Sequence, residues 1–271
     1  MKYFYFVGEG PHDIAFLAKL IKKSFGLSTI TKLENLDSFW LPLIPRTFPN
    51  PEDDDLLKRL PVPHFLQNDD FSIALHSANG IEKIVATLEE SLAVIDDLSK
   101  LLGIALILDA DGKETPLERF NSLIQKLSIS SELPDLSEFV DFRESELGQV
   151  KQNEKRFGVF IIPNNKDSGT LEEILIECAK TNYTNLYELA ENYLSSVDLE
   201  SLTKSDKKAF KKPAGRNKAI VSSISSVLKP GKAIQVSIQD NRWIDSVTLK
   251  LENIVLIREF IAKILGIHDF K

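Results

Sequence analysis

Two short stretches hold residues whose types and spacing suit chemistry. In FVGEGPHD, Glu9 stands between Gly8 and Gly10, directly after the aromatic, β-branched run of residues 2–8. In ALILDADG, Asp109 and Asp111 follow the continuous apolar run 104–108. They are two residues apart, so on an extended chain both side chains point to one face. Carboxylates gathered in one place repel unless something positive lies between them. An all-oxygen set suits a hard cation, Mg²⁺ or Mn²⁺. Asp109 and Asp111 also admit a plainer reading as turn residues, which aspartate favours. Zinc is not implied, because His12, His64, His76 and His268 lack ligand spacing and Cys178 is alone. A dinucleotide site is the rival for the glycines. Asp13, however, occupies the place of the third fingerprint glycine, where close helix–strand packing needs no side chain.

The elements that must position these carboxylates are legible in outline. Residues 2–8 read as a buried strand, and Pro11 opens a helix with Ile14, Leu17, Ile21 and Phe25 on one stripe. Residues 41–63 hold six prolines and an acidic run, which reads as a surface insertion reaching to about residue 70. A short strand near FSIALH, the Asn79-Gly80 turn and a helix carrying Ile84, Leu88 and Leu92 follow. The run 104–108 is the pattern of a central strand covered on both faces. Thr115, Pro116 and Glu118 then give a capping box with proline at the first helical position. Residues 128–156 read as a second insertion, and a further strand ends at Ile162. Thr170 and Glu173 form another capping box, with Leu171, Ile174, Leu175 and Cys178 facing inward. The remainder reads as helices, with a weaker stretch at 229–248 as a candidate strand. Strands alternating with helices predict an α/β fold with a mostly parallel, Rossmann-like sheet flanked by helices. The expected division is a core at 1–180 and a mainly helical C-terminal region at 181–271.

Composition narrows the function classes. The chain has 271 residues, 27% of them charged, and a net charge of −7. That charge argues against coating nucleic acid by bulk electrostatics, though not against a local basic patch. One cysteine suits a reducing cytoplasm. No apolar run is long enough for a membrane span, and the N-terminal apolar stretch breaks at Gly8-Glu9. The segment KSDKKAFKKPAGRNK concentrates seven basic residues, from Lys204 to Lys218. Such a run is ordinarily a solvated helix face. As a phosphate-binding ridge it would use Arg216 and Lys218. Trp40 and Trp243 read as packing residues. No Walker A loop and no Gly-x-Ser-x-Gly motif is present.

Taken in order, FVGEGPHDIAFL, ALILDADG and IIPNNKDSGTLEEIL resemble the topoisomerase–primase (Toprim) domain. The likeness is to small bacterial Toprim-like proteins related to the overcoming-lysogenization-defect nucleases. It covers most of residues 2–178 and, more loosely, 204–265. The resemblance implies that Glu9 matches the family's glutamate, a general acid or base, and that Asp109 and Asp111 match its metal-holding Asp-x-Asp pair. Glu172, in Gly169-Thr170-Leu171-Glu172, matches a Gly-x-Leu-Glu pattern and would help to close the metal site. Lys113 stands where the topoisomerase and primase pattern has an acid, with Glu114 one position late, and Asn164 stands where related proteins have aspartate. Both departures remove ligand charge. The implied function is a Mg²⁺- or Mn²⁺-dependent nuclease acting on DNA or RNA, with a separately encoded ATPase as a conceivable partner. The alternative is a non-catalytic Toprim-like module that binds metal and nucleotide, or a partner.

Overall fold

The structure, a computed structural model, describes residues 1–46, 62–110, 114–130, 133–134, 136, 139, 141–151 and 154–267. In chain order β1 (Lys2–Gly8) leads to α1 (Pro11–Phe25), and β2 (Ser28–Ile30), β3 (His64–Gln67) and β4 (Phe71–Ser77) follow. Next come α2 (Ile84–Ala93), β5 (Leu101–Asp109), α3 (Pro116–Ile129), β6 (Arg156–Ile162) and α4 (Leu171–Asn182). The chain then stays helical: α5 (Thr184–Ser196), α6 (Lys204–Lys207), α7 (Gly215–Leu228), α8 (Ile234–Asp240) and α9 (Glu252–Leu265). Among the described residues, six strands lie in the order β2-β3-β4-β1-β5-β6. Neighbours from β4 to β6 run parallel, and β2 and β3 add an antiparallel edge.

Alternation along the strands divides the core into two layers. Phe4, Phe6, Ala105, Ile107, Phe160 and Ile162 face one side, against α1, α4 and α7–α9. Tyr5, Val7, Ile104, Leu106, Val159 and Ile161 face the other, against α2, α3 and Trp40. Burial on both faces is why these strands read as unbroken apolar runs. The C-terminal helices therefore belong to the same layer as α1 and α4, with α9 against β5 and β6 and α8 against α1.

Two expectations need correction. The stretch read as an insertion from 41 to about 70 supplies β3, whose Phe65 and Leu66 are buried and which pairs antiparallel with β4. Nearby Trp40 and Leu43 are buried as well. Residues 47–61 lie outside the described residues. The candidate strand within 229–248 is instead α8 followed by turns. Its Ile238 and Trp243 fill the space beside α1 and α4, a helical use of residues that look β-prone locally.

Both tryptophans are packing residues with a satisfied N–H. Trp40 Nε1 donates to Ser72 Oγ at 2.9 Å, and Trp243 Nε1 donates to Ser237 Oγ at 3.0 Å. Replacing Trp243 by Phe removes volume and one buried donor, so stability should fall by about 2 kcal/mol in urea denaturation. A loss under about 0.5 kcal/mol would show that the indole is not tightly held.

Candidate functional site

Gly8 of β1 is level with Ile107 of β5, so Glu9 and Asp109 leave adjacent parallel strands one residue apart along the sheet. The following segments diverge, with α1 on one face and α3 on the other. This is the switch point at which open α/β sheets hold their ligands. Gly8 lets α1 start close to the sheet: a Cβ there would lie 3.0 Å from Ile14 Cδ1 and 3.3 Å from Asp13 Cβ. On the other side, Gly80 has φ +135°, which disfavours any side chain. Its N–H donates to the Glu9 carbonyl at 3.0 Å, fixing the Asn79-Gly80 turn against the β1 exit.

The third wall is the start of α4. Ala110 and Gly169 form an isolated antiparallel bridge, with N–H···O distances of 2.8 and 2.7 Å. The bridge ties the end of β5 to the residue before Thr170. Leu171 N–H then donates to Asp109 Oδ1 at 3.1 Å. Glu173 accepts from Thr170 N–H at 2.6 Å, the reciprocal half of a capping box. Thr170 Oγ1 also donates to Glu172 Oε2 at 2.8 Å. Asn217 Nδ2 donates to Glu173 Oε1 at 2.9 Å, bringing the first turn of α7 to the same corner.

These contacts enclose a cleft of 390 Å³ lined by Glu9, His12, Asp13, Asp109, Glu172 and Lys218, among others. Asp13 and Glu172 are only 6% and 5% exposed. Burial holds Asp109 well above the usual carboxylate range, and the charges of Asp13, Glu9 and Glu172 add to the effect, against Lys218. Asp13 is pushed up to about 7, chiefly by burial. The Gly10 N–H that it accepts at 2.7 Å works the other way. Burial depresses His12 and Lys218 lowers it further, against the pull of Glu172.

The structure thus brings Glu9, Asp109, Glu172 and Lys218 to one cleft. Asp111 and Lys113 lie outside the described residues. Arg216 is turned elsewhere: its guanidinium grips Glu191 of α5 at 2.9 and 2.5 Å and donates to Ser195 Oγ at 3.1 Å. Elsewhere in the basic run, Lys207 and Lys211 pair with Glu200 at 3.0 and 3.6 Å. Asn164 organises a turn, accepting from Lys166 N–H and Asp167 N–H at 3.1 and 2.8 Å. Asp13 and His12 were missed as site residues. A first-turn aspartate in α1 reads as a helix-dipole residue, and only the fold brings Asp109 of β5 and Glu172 of α4 into the cleft beside it. As placed, no three His, Cys, Asp or Glu side chains among the described residues converge to ligate one ion.

Fold and cleft define an α/β protein with an acidic strand-end site at the sheet's switch point. The chain belongs to the family described as DUF3226, protein of unknown function, whose model matches residues 6–257. Among solved structures it is similar to the crystal structure of hypothetical protein PH0156 from Pyrococcus horikoshii OT3. That likeness has a TM-score of 0.51 at 16% identity, covering 98% of this chain and 96% of the other, and it bears on fold alone. No curated protein matches. No helix among the described residues is long and apolar enough to cross a membrane.

Proposed function

We propose that the cleft is the phosphoryl-transfer site of a Toprim-like nuclease that uses Mg²⁺ or Mn²⁺ on DNA or RNA phosphodiesters in the cytoplasm. The observation that carries this reading is the gathering of Glu9, Asp13, Asp109 and Glu172 from three separate strand–helix junctions into one cleft with Lys218. Repulsion and burial leave that set short of positive charge, and its hard oxygen donors suit either cation. Ligation by Glu9, Asp109 and Glu172 requires their side chains to turn toward a common point. A bound divalent ion would neutralise charge on the phosphate oxygens and lower the pKa of attacking water. Glu9, at the β1 exit, moves a proton to or from the reacting oxygens. Lys218, on the first turn of α7, holds a substrate phosphate.

A second reading, a non-catalytic metal-, nucleotide- or partner-binding module, draws support from the local hydrogen bonds already made by Asp13, Asp109 and Glu172. On either reading a separately encoded ATPase is a candidate partner. The two separate by titrating Mn²⁺ into the full chain, followed by electron paramagnetic resonance, beside a cleavage assay on single- and double-stranded oligonucleotides. The nuclease reading expects Mn²⁺ binding with cleavage, and binding without cleavage favours the module. In the same assay Lys218→Ala should raise KM about tenfold, the loss of one charge-assisted phosphate contact. Arg216→Ala should leave KM within about twofold, because its guanidinium serves Glu191.

A further inference from the structure

A second cavity, of 270 Å³, lies on the other side of the same strand ends. Its lining includes Ile81 and Leu108, the immediate chain neighbours of Gly80 and Asp109, which line the acidic cleft. One wall, made of residues 80–81 and 108–109, therefore separates the two spaces, and at Gly80 that wall carries no side chain. The second cavity differs in chemistry. Val85, Leu108 and Leu123 give it apolar sides, while Arg119 and Lys126 of α3 outweigh the Glu114 carboxylate that also lines it, leaving the lining net positive. Arg119 is 6% exposed, with Nε 3.5 Å from Glu114 Oε2. A mostly buried guanidinium beside an aliphatic surface suits a planar, partly apolar group carrying an anion.

We infer that this cavity is a nucleotide subsite: it takes the nucleotide next to the phosphodiester held in the acidic cleft, its base against Val85, Leu108 and Leu123 and its phosphate toward Arg119 and Lys126. The inference rests on the nuclease reading for its place along a strand. A base seated there must be unpaired, so the preferred substrate is a single-stranded segment or a frayed end. A duplex would keep the base stacked and out of reach.

The test reads binding apart from cleavage. Adenosine 5′-monophosphate is titrated by calorimetry into the full chain in EDTA, as wild type, Ser122→Tyr, Lys126→Glu and Asp109→Ala. Ser122 lines the cavity, so tyrosine there plugs it, and Lys126→Glu is an independent surface change should the first variant fail to fold. Binding should weaken at least tenfold in both α3 variants and stay within about twofold in Asp109→Ala, and inorganic phosphate alone should bind at least tenfold more weakly than the nucleotide. No binding to wild type at millimolar nucleotide, or binding indifferent to the α3 variants that fold, overturns the subsite. Cleavage abolished by Asp109→Ala alongside that indifference would leave the cleft's reading standing. Nucleotide binding sensitive to α3 without cleavage under either metal keeps the subsite and sinks the nuclease.

Discussion

Asp109→Asn should cut metal-dependent cleavage by about 1,000-fold, the scale of a lost metal-holding or proton-transferring group, while raising the melting temperature of the metal-free protein. Asparagine keeps a carbonyl oxygen for the Leu171 N–H that Asp109 Oδ1 now accepts at 3.1 Å. It also removes a carboxylate whose ionisation is opposed by burial and by Asp13, Glu9 and Glu172. Opposite signs for activity and stability are the mark of a site that stores repulsion for a cation to relieve. Glu9→Gln should show the same loss of cleavage. Both are checked by initial rates with Mn²⁺ and by thermal melts in EDTA. Cleavage within a fewfold of wild type in both folded variants would eliminate the proposed chemistry. A destabilised Asp109→Asn would show instead that the carboxylate is there to hold α4.

Asp13, together with the neighbouring and likewise raised Asp109, should make stability fall as pH rises. The folded-state pKa of Asp13 is raised from 3.8 to about 7, so between those values the folded protein binds more protons than the unfolded chain. Its stabilising contribution is complete below about pH 4, declines as pH rises and is lost above about 7. The whole contribution is at most about 4 kcal/mol, since each tenfold change in proton affinity is worth about 1.4 kcal/mol. Asp13→Asn should flatten this slope, and it retains an acceptor for Gly10 N–H. Added Mg²⁺ should flatten it in the wild type, because a cation in the cleft favours the ionised form. Melting temperatures from pH 4 to 8, in EDTA and in Mg²⁺, decide the matter. A slope identical in wild type and Asp13→Asn would show that the carboxyl titrates normally in the folded protein.

What the sequence discloses follows physical lines. β1, β5 and β6 are legible because strands buried on both faces spell unbroken apolar runs, and α3 and α4 because Thr115 with Glu118 and Thr170 with Glu173 mark their starts. β2 and β3 are hidden, being three and four residues long beside a proline-rich stretch, and their pairing is a tertiary matter. The same contrast holds in the cleft. Glu9 and Asp109 announce themselves by interrupting apolar runs at strand ends, whereas Lys218 is one of seven basic residues in a single run. Asp13 and His12 share the cleft with Glu172 of α4 and Lys218 of α7, more than 150 residues away in the chain. Arg216 misleads because its carboxylate partner, Glu191, lies 25 residues earlier on another helix. Nothing local distinguishes it from Lys218, two positions on.

The link from Asn217 to Glu173 has a practical corollary for anyone cutting this gene into pieces. A fragment stopping near residue 180 would keep β1 to β6 yet surrender Lys218, along with the lid of isoleucines and aromatics over Phe4 and Phe160. Such a fragment should be sticky and inert. Any minimal working unit has to carry its tail.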